Sequence, residues 1–170
     1  MRMTVEELEE ALDIPMPSSE RLVLDDSRRL TGPGLLWAKP GAIADVLIRD
    51  FDLEDVESRW HSHVAVVLDA VGWGGEQSIS RCYDGGISLA ISAPMDQLYS
   101  AIFVVQASWH YTACELLDVE PEPLRRLAGQ IRTVMANEAR PELIALQRAA
   151  AEHGVDFIAD DEAEIGRAHV

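Results

Sequence analysis

The chain contains 170 residues, of which 48% are hydrophobic and 26% are charged, and its formal net charge is −16. This length and composition are typical of one domain with a buried core and exclude a disordered chain. The acidic balance excludes nucleic acids and anionic membranes as partners, because phosphate is bound by clustered Lys and Arg, and the only lysine is Lys39. Two cysteines, Cys82 and Cys114, make no disulfide framework, and no signal-peptide pattern is present, so we expect a cytoplasmic location.

The first part of the chain predicts one short helix and two strands. Thr4 and Glu7 form a capping box, in which each residue bonds the backbone of the other, and this opens the helix. Alternating apolar residues predict a strand over 21–25 with a continuation over 27–30. An apolar, β-branched run predicts a second strand over 42–49.

The clearest helix spans residues 53–71. Its apolar side chains recur every three or four positions, so they form one stripe that faces a core. Gly72 and Gly74 then end the helix. The members of the stripe are Leu53, Val56, Trp60, Val64, Val67, Leu68 and Val71.

The second half of the chain predicts a hairpin followed by three helices. Asp84-Gly85 between two apolar runs is a strong signal for a hairpin. The helix after the hairpin is apolar nearly all round, so we expect it to be central in the fold. The predicted elements are strands at 77–83, 86–92 and 155–159 and helices at 93–117, 124–137 and 142–153.

This order predicts an α+β fold, in which a small mixed β-sheet is packed with helices and a C-terminal helical arm follows. We divide the chain into an N-terminal helix and lead-in (1–25), an α+β domain (26–120) and a helical arm that leads into a further domain (121–163). Residues 164–170 match a translated short-read sequencing adapter. We therefore expect the genuine protein sequence to stop near residue 164 and the residues after it to contact nothing in particular.

The histidines and cysteines do not predict a metal site. His61 and His63 have the spacing of a metal-binding pair on a strand, but on a helix their rings point about 160° apart. His110 and Cys114 share a face of the central helix, where a core histidine beside a buried thiol is the simpler interpretation. Two ligands also fall short of the four of a closed zinc site, and no residue is assigned a catalytic role.

Four residues are candidates for contact with a substrate, namely Arg81, His110, Glu115 and Trp73. Arg81 lies on an otherwise apolar strand, where it could either pair with a buried Glu or hold a substrate. Glu115 shares a polar stripe of the central helix with Ser108 and Thr112. Trp73 lies in a Gly-rich turn and is the best candidate for an exposed aromatic contact.

The chain has no phosphate-binding loop in its sequence. A Walker-type loop requires G-x-x-x-x-G-K followed by Ser or Thr, and Lys39 has no such context. The acidic runs also lack the spacing of a calcium-binding loop. We therefore expect this chain to bind no cofactor.

Short motifs occur in a fixed order between residues 26 and 117. They are Leu30-Thr31-Gly32-Pro33-Gly34-Leu35-Leu36-Trp37, Pro40-Gly41-Ala42 and Gly85-Gly86-Ile87-Ser88-Leu89-Ala90-Ile91-Ser92-Ala93-Pro94, followed by a helix. This order resembles the N-terminal domain of cyanophycin-synthetase-like proteins, including those whose catalytic part is a Mur-ligase-type ATP-dependent amide ligase. Gly32, Pro33 and Trp37 match one family element, in which Gly34 stands where the family usually has Asn.

The resemblance covers about residues 26–163 and implies an accessory domain that helps to hold a substrate or polymer for an ATP-dependent amide ligase. The stretch 156–166 is similar to the acidic strand that precedes the family's ligase P-loop. The resemblance thus implies a downstream ligase domain as partner, an amino-acid or peptide substrate, and ATP with magnesium bound by that missing domain. The alternative is a stand-alone acidic binding module, or a small subunit that acts with a separate ligase.

Overall fold

The computed structural model describes residues 2–17, 19–159 and 165–167. The predicted helix at 53–71 and the two predicted hairpin strands are confirmed to within one residue. In chain order the elements are α1 (Val5–Glu10), β1 (Leu22–Leu30), β2 (Gly41–Ile48), α2 (Leu53–Ala70), β3 (Ser78–Tyr83), β4 (Gly86–Ser92), α3 (Leu98–Leu117), α4 (Leu124–Glu138), α5 (Pro141–Glu152), β5 (Phe157–Ala159) and β6 (Ile165–Arg167).

Four strands form the main sheet in the order β1-β2-β4-β3, and every neighbouring pair is antiparallel. The α+β class is therefore confirmed, but the expectation of a mixed sheet is wrong. Strands β2 and β3 run in the same direction, because both are antiparallel to β4. The hairpin of β3 and β4 places β4 between them, so the two parallel strands never become neighbours.

The core lies between one face of the main sheet and the helices α2 and α3. Trp60 on α2 and Trp109 on α3 are 0% and 1% exposed. Helix α3 is central, as its apolar composition predicts, and it buries small polar side chains as well as apolar ones. Alternate strand residues point into this core, among them Ala42, Ala44 and Val46 of β2 and Ile87, Leu89 and Ile91 of β4.

The opposite face of the sheet, which we call the outer face, is partly open. Val23, Leu47 and Tyr83 are 38%, 42% and 38% exposed there. Arg28 forms an ion pair with Asp45 across the same face, with 2.7 Å between nitrogen and oxygen. Exposed apolar side chains and paired charges thus alternate, which is the usual pattern of a sheet face in contact with water.

Helix α3 begins at Leu98, five residues after the predicted start at residue 93. The residues before it form a turn in which the Gln97 N–H donates to the Pro94 carbonyl. The first N–H groups of the helix are bonded by the carboxylate of Glu138, which lies 38 and 39 residues further along the chain. A cap supplied by another helix leaves no local signal, and this is why the sequence misplaces the start.

A small second sheet follows the arm formed by α4 and α5. Strand β5 pairs antiparallel with β6, so that Phe157 lies opposite Arg167 and Ala159 lies opposite Ile165. The expectation that the last residues contact nothing is therefore wrong for residues 165–167, because the backbone of β5 offers them a partner. Residues 168–170, on which the rest of that expectation falls, lie outside the described residues.

Candidate functional site

The structure distributes the four candidate substrate contacts over different surroundings. Arg81 is exposed on β3, and Glu115 is exposed near the end of α3. His110 and Trp73 are only 3% and 7% exposed. Within the part of the chain that the structure describes, no hydrogen bond or ion pair joins any two of them. The fold therefore does not bring the four together.

Trp73 is a core residue, so the expectation of an exposed contact is wrong. Gly72, with a φ of +86°, follows the last turn of α2, and the Trp73 N–H then donates to the Leu68 carbonyl at 2.8 Å. This bond turns the chain back over the helix and the indole ring joins the main core. The Gly-rich sequence correctly marks a turn but does not show in which direction the ring points.

Arg81 is exposed and, within the described ranges, pairs with no buried Glu, so that alternative is wrong. It lies opposite Ser88 of β4, which lies opposite Asp45 of β2, so the three residues form one row on the outer face. Strand β3 is at the edge of the sheet, where an arginine side chain reaches water. The apolar neighbours of Arg81 in the sequence do not reveal this, because strand order is decided by distant residues.

His110 holds two distant loops against the core helix. Its Nδ1 lies 2.6 Å from the carbonyl oxygen of Pro15, and its Nε2 accepts the N–H of Glu122 at 3.0 Å. These partners assign the proton to Nδ1. The Cys114 thiol lies 3.7 Å from the ring, and burial raises its pKa. Both ring nitrogens are used by the backbone, which gives His110 a structural role.

Glu115 connects α2 and α3 at the surface. One carboxylate oxygen accepts a hydrogen bond from Arg59 at 2.7 Å, and the other lies 2.5 Å from Nε2 of His63. The hydrogen bond with His63 is the largest cause of a lowered pKa of Glu115, while partial burial acts in the opposite direction. Because Glu115 is already bound on both sides, a ligand would have to displace these partners.

A polar network links α2 to the edge strand β3. His61 lies one turn after Glu57 on the helix, and its two ring nitrogens are 3.1 Å from Ser78 Oγ and 2.7 Å from Ser80 Oγ. The Ser80 hydroxyl donates to Glu57 at 2.5 Å. His61 therefore binds β3 whereas His63 binds α3, which agrees with the opposite directions expected for these two positions on a helix.

An acidic cleft lies beside this network. It has a volume of about 660 Å³ and is lined by Phe51, Asp52, Leu53, Glu54, Glu57 and Cys82. Burial is the largest cause of a raised pKa of the Cys82 thiol, followed by the charges of Glu57, Glu54 and Asp52. The three carboxylates thus lie close to the end of β3, and the guanidinium of Arg21 lies 4.8 Å from the centre of the Phe51 ring at the same cleft.

The backbone of β3 presents unpaired hydrogen-bonding groups next to the cleft. Tyr83 and Gly86 flank a two-residue turn and form the first hydrogen-bonded pair of the hairpin, and such pairs recur at every second residue. Gln77 and Ser92 fit this alternation of hydrogen-bonded pairs, since the Gln77 carbonyl accepts the Ser92 N–H at 2.8 Å. The N–H and C=O groups of Ser78, Ser80 and Cys82 therefore point away from β4. Among the described residues, no group bonds them.

A second polar cluster, which we call the clasp, lies where α3 begins. The carboxylate of Glu138 accepts hydrogen bonds from the N–H groups of Tyr99 and Ser100 at 2.7 and 2.9 Å and from the Ser100 hydroxyl at 2.6 Å. In return, Asp96 accepts the N–H of Arg140, just before α5, at 2.6 Å. The clasp therefore ties the start of α3 to the junction of α4 and α5.

The clasp is buried, and this changes the acidity of its main carboxylate. Burial raises the pKa of Glu138 above 4.5, and the charge of Asp96 acts in the same direction, although the hydrogen bonds from Ser100 and Tyr99 oppose it. A cavity of about 70 Å³ adjoins the clasp, and Arg2, Arg29 and Arg140 are among its lining residues. Asp96 and Glu138 also line this cavity, so we interpret it as part of the clasp.

Further observations concern metals and membranes. Among residues 2–17, 19–159 and 165–167, no three His, Cys, Asp or Glu side chains converge as a metal ion would require. In the same part of the chain, no helix has the length and apolar character needed to cross a bilayer.

The chain was also compared with known proteins. It matches no family model and no curated protein.

Proposed function

We propose that this chain is an accessory domain that holds a substrate or polymer for an ATP-dependent amide ligase of the cyanophycin synthetase and Mur ligase type. The order of the motifs from Leu30 to Pro94 supports this proposal. Two glycines of these motifs lie where the sheet tolerates no side chain. A Cβ at Gly41 would lie 1.8 Å from the Ile91 carbonyl oxygen, and one at Gly86 would lie 2.3 Å from that of Val46.

The observation that carries the accessory role is the exposure of helix α5. None of its side chains is buried among the described residues. Leu146 is 44% exposed, and Leu143 and Ile144 are only partly covered. A helix with apolar residues gains most of its stability by burying them against a partner. We propose that the partner of α5 is the ligase domain, and that ATP and magnesium bind there.

The holding role is assigned to the acidic cleft beside β3. It offers three carboxylates beside Phe51 and Leu53, and one of these carboxylates, that of Glu57, accepts a hydrogen bond from Ser80. We place the protein in the cytoplasm, where ATP is available. Both cysteines are free thiols and Cys82 is exposed, which suits a reducing compartment.

The test uses the enzyme that this proposal requires. The coding sequence is first read past codon 164 in genomic DNA, where the proposal expects G-x-x-x-x-G-K-[ST]. In that enzyme, Leu146→Asp should raise KM for the acceptor substrate by about 10-fold and leave kcat within about 2-fold. The substitution weakens the contact of α5 with the ligase domain, and so the delivery of the held substrate, but it changes no group that takes part in the reaction. Phosphate release at varied acceptor concentration measures both constants. Leu146→Met, which keeps the apolar contact, should behave as the unchanged enzyme.

The isolated 170-residue chain provides the control. Because Leu146 is exposed in this domain, Leu146→Asp should leave its melting temperature unchanged. A clear fall in the melting temperature of the isolated chain would show that α5 packs within this domain and would contradict the accessory role. A stop codon at the same place in genomic DNA would favour the stand-alone module instead.

Nucleotide should not bind to the isolated chain. Its sequence contains no Walker-type loop, so millimolar ATP with magnesium is expected to leave the melting temperature unchanged. A ligand that binds the native state must stabilise it, and thermal denaturation followed by fluorescence would detect the shift. A clear rise in melting temperature would contradict the assignment of ATP to another domain.

A further inference from the structure

We propose that a groove beneath the N-terminal segment binds a small organic amine that has an apolar body and no carboxylate. The groove lies between the N-terminal segment, strand β1 and helix α3, and its volume is about 460 Å³. Sites for small molecules usually have volumes of about 300–1,000 Å³, apolar walls and a few polar groups. The inference does not rest on the ligase role, because this groove shares no lining residue with the acidic cleft beside β3.

Helix α3 forms one wall of the groove. Its contribution consists of Tyr99, Ile102, Phe103 and Gln106, whose spacing places them on one face of the helix. Tyr99 and Phe103 are only 6% and 4% exposed, so the core holds them in place. Ile102 and Gln106 are partly buried and are therefore within reach of a ligand. The wall is thus rigid at its base and accessible above it.

Strand β1 forms the opposite wall through Leu24 and Ser27. On a regular strand, residues three positions apart point to opposite faces, but the register shifts between Leu24 and Asp26. A bulge of this kind adds one residue and changes the alternation of the side chains that follow it. Ser27 therefore points to α3, where its Oγ accepts a hydrogen bond from Nε2 of Gln106 at 2.9 Å. Bulges are common beside binding sites because they redirect a side chain in this way.

Residues 9–13 cross the mouth of the groove. On either side of them, Leu8 and Ile14 are 6% and 5% exposed and anchor the segment in the core. Glu9 and Asp13 line the groove and are exposed. Within the described ranges, no hydrogen bond or ion pair engages the carboxylate of either residue. The mouth therefore carries two negative charges that are free to bind a ligand.

The charges at the mouth determine the class of ligand. None of the described lining residues is Arg, Lys or His, so the two carboxylates favour a cation and oppose an anion. An amino acid fits poorly, because its own carboxylate would lie close to Glu9 and Asp13 without a cation to balance it. An amine without a carboxylate can place its ammonium group at the mouth and its apolar body along Leu12, Leu24 and Ile102.

The experiment titrates the 170-residue chain, labelled at its Ile and Leu methyl groups, with phenethylamine. The methyl resonances of Ile102 and Leu24 should shift in a saturable way, with a Kd on the order of 1 mM for a ligand of this size. Nuclear Overhauser effects should connect these methyl groups to the phenyl ring. Leu35 is fully exposed outside the groove and provides the internal control. The absence of shifts at millimolar amine, or shifts confined to Leu53 in the acidic cleft, would overturn the proposal.

Related compounds test the ligand class. Phenethyl alcohol has no charge and should bind about 5-fold more weakly, and phenylalanine, which adds a carboxylate, should weaken to a similar extent. Hydrocinnamate carries the opposite charge and methylamine has no apolar body, so neither should produce the shifts. Equal binding by the alcohol or by phenylalanine would overturn the part played by the carboxylates. Equal binding by methylamine would overturn the part played by the apolar walls.

The carboxylates are tested by substitutions at exposed positions. Glu9→Gln with Asp13→Asn should weaken phenethylamine binding by about 5-fold at low salt and by less at high salt. Glu120→Gln with Glu152→Gln makes the same change in net charge at exposed residues that do not line the groove, and it should have little effect. Equal weakening by both pairs would show only the general attraction of an acidic chain for cations and would overturn the assignment to the groove.

A matched pair of leucine variants tests the apolar contact. Leu12→Ser should weaken binding by about 3- to 10-fold, whereas Leu35→Ser makes the same chemical change at a fully exposed position and should bind as the unchanged chain. Circular dichroism verifies that both variants are folded, and the charge variants decide the outcome if Leu12→Ser unfolds the chain. Equal binding by the two folded variants would overturn the apolar contact. Sedimentation should show a monomer, and a dimer that phenethylamine dissociates would assign the groove to a second copy and overturn the amine.

Discussion

Trp60→Ala should lower the free energy of unfolding by roughly 3–5 kcal/mol, the range for large aromatic residues removed from a core. Trp60 is 0% exposed and lies in the middle of the stripe by which α2 covers the sheet. The substitution leaves a cavity that the surrounding β-strands cannot close. Urea denaturation followed by circular dichroism measures the loss. A loss below about 1 kcal/mol would mean that the site collapses around the smaller side chain.

Two control variants separate cavity formation from other effects. Val66 is on the same helix but is 52% exposed, so Val66→Ala should change stability by less than about 0.5 kcal/mol. The indole N–H of Trp60 is buried without a hydrogen-bond partner among the described residues. Trp60→Phe removes this unsatisfied group and keeps most of the ring volume, so its loss should be less than half that of Trp60→Ala.

Glu138→Ala should be the second most damaging substitution, with a loss of about 3 kcal/mol. It leaves the N–H groups of Tyr99 and Ser100 and the Ser100 hydroxyl without their shared partner inside the protein. Each unsatisfied buried donor costs about 1–3 kcal/mol, while relief from burying a carboxylate offsets part of the sum. Ser100→Ala removes one of the three bonds and should lose less than half as much.

The contribution of Glu138 to the stability of the folded protein changes with pH in a definite direction. Its pKa is raised in the folded protein by burial, so the folded state binds the proton more tightly than the unfolded state. The stabilising contribution is therefore fully present below the unfolded pKa, near 4.5, and is lost as pH rises through the raised value. Relative to Glu138→Gln, the unchanged chain should gain stability on acidification from pH 7 towards pH 4.5. A constant difference over this interval would contradict the raised pKa.

The features that could be predicted from the sequence are those determined by neighbours along the chain. Helix α2 follows from the spacing of its apolar residues, and the β3–β4 hairpin follows from Asp84-Gly85 between two strand-like runs. Both depend on contacts within a few residues, and both were predicted to within one residue. The order of the strands depends on packing between distant segments, so the fully antiparallel sheet was not predictable in the same way.

At the candidate site, even more of the structure depends on contacts between segments that are distant in the sequence. The direction of Trp73 depends on a bond back to Leu68, and the exposure of Arg81 depends on the edge position of β3. The clasp joins Glu138 to Ser100, which are 38 residues apart, and no local pattern marks either as a partner of the other. The hairpin turn does contain one usable signal. A two-residue turn fixes which β3 residues point outward, once β3 is known to be at the edge.

The clasp also couples the direction of the arm to the integrity of α3. Its two carboxylates connect the same two regions in opposite directions. Glu138, at the end of α4, caps α3, and Asp96, in the turn before α3, accepts the N–H of the residue before α5. The junction of α4 and α5 therefore cannot move away from the start of α3 without breaking one of these bonds. A force applied to α5 is transmitted to the first turn of the core helix, so the clasp acts as a mechanical stop for the arm.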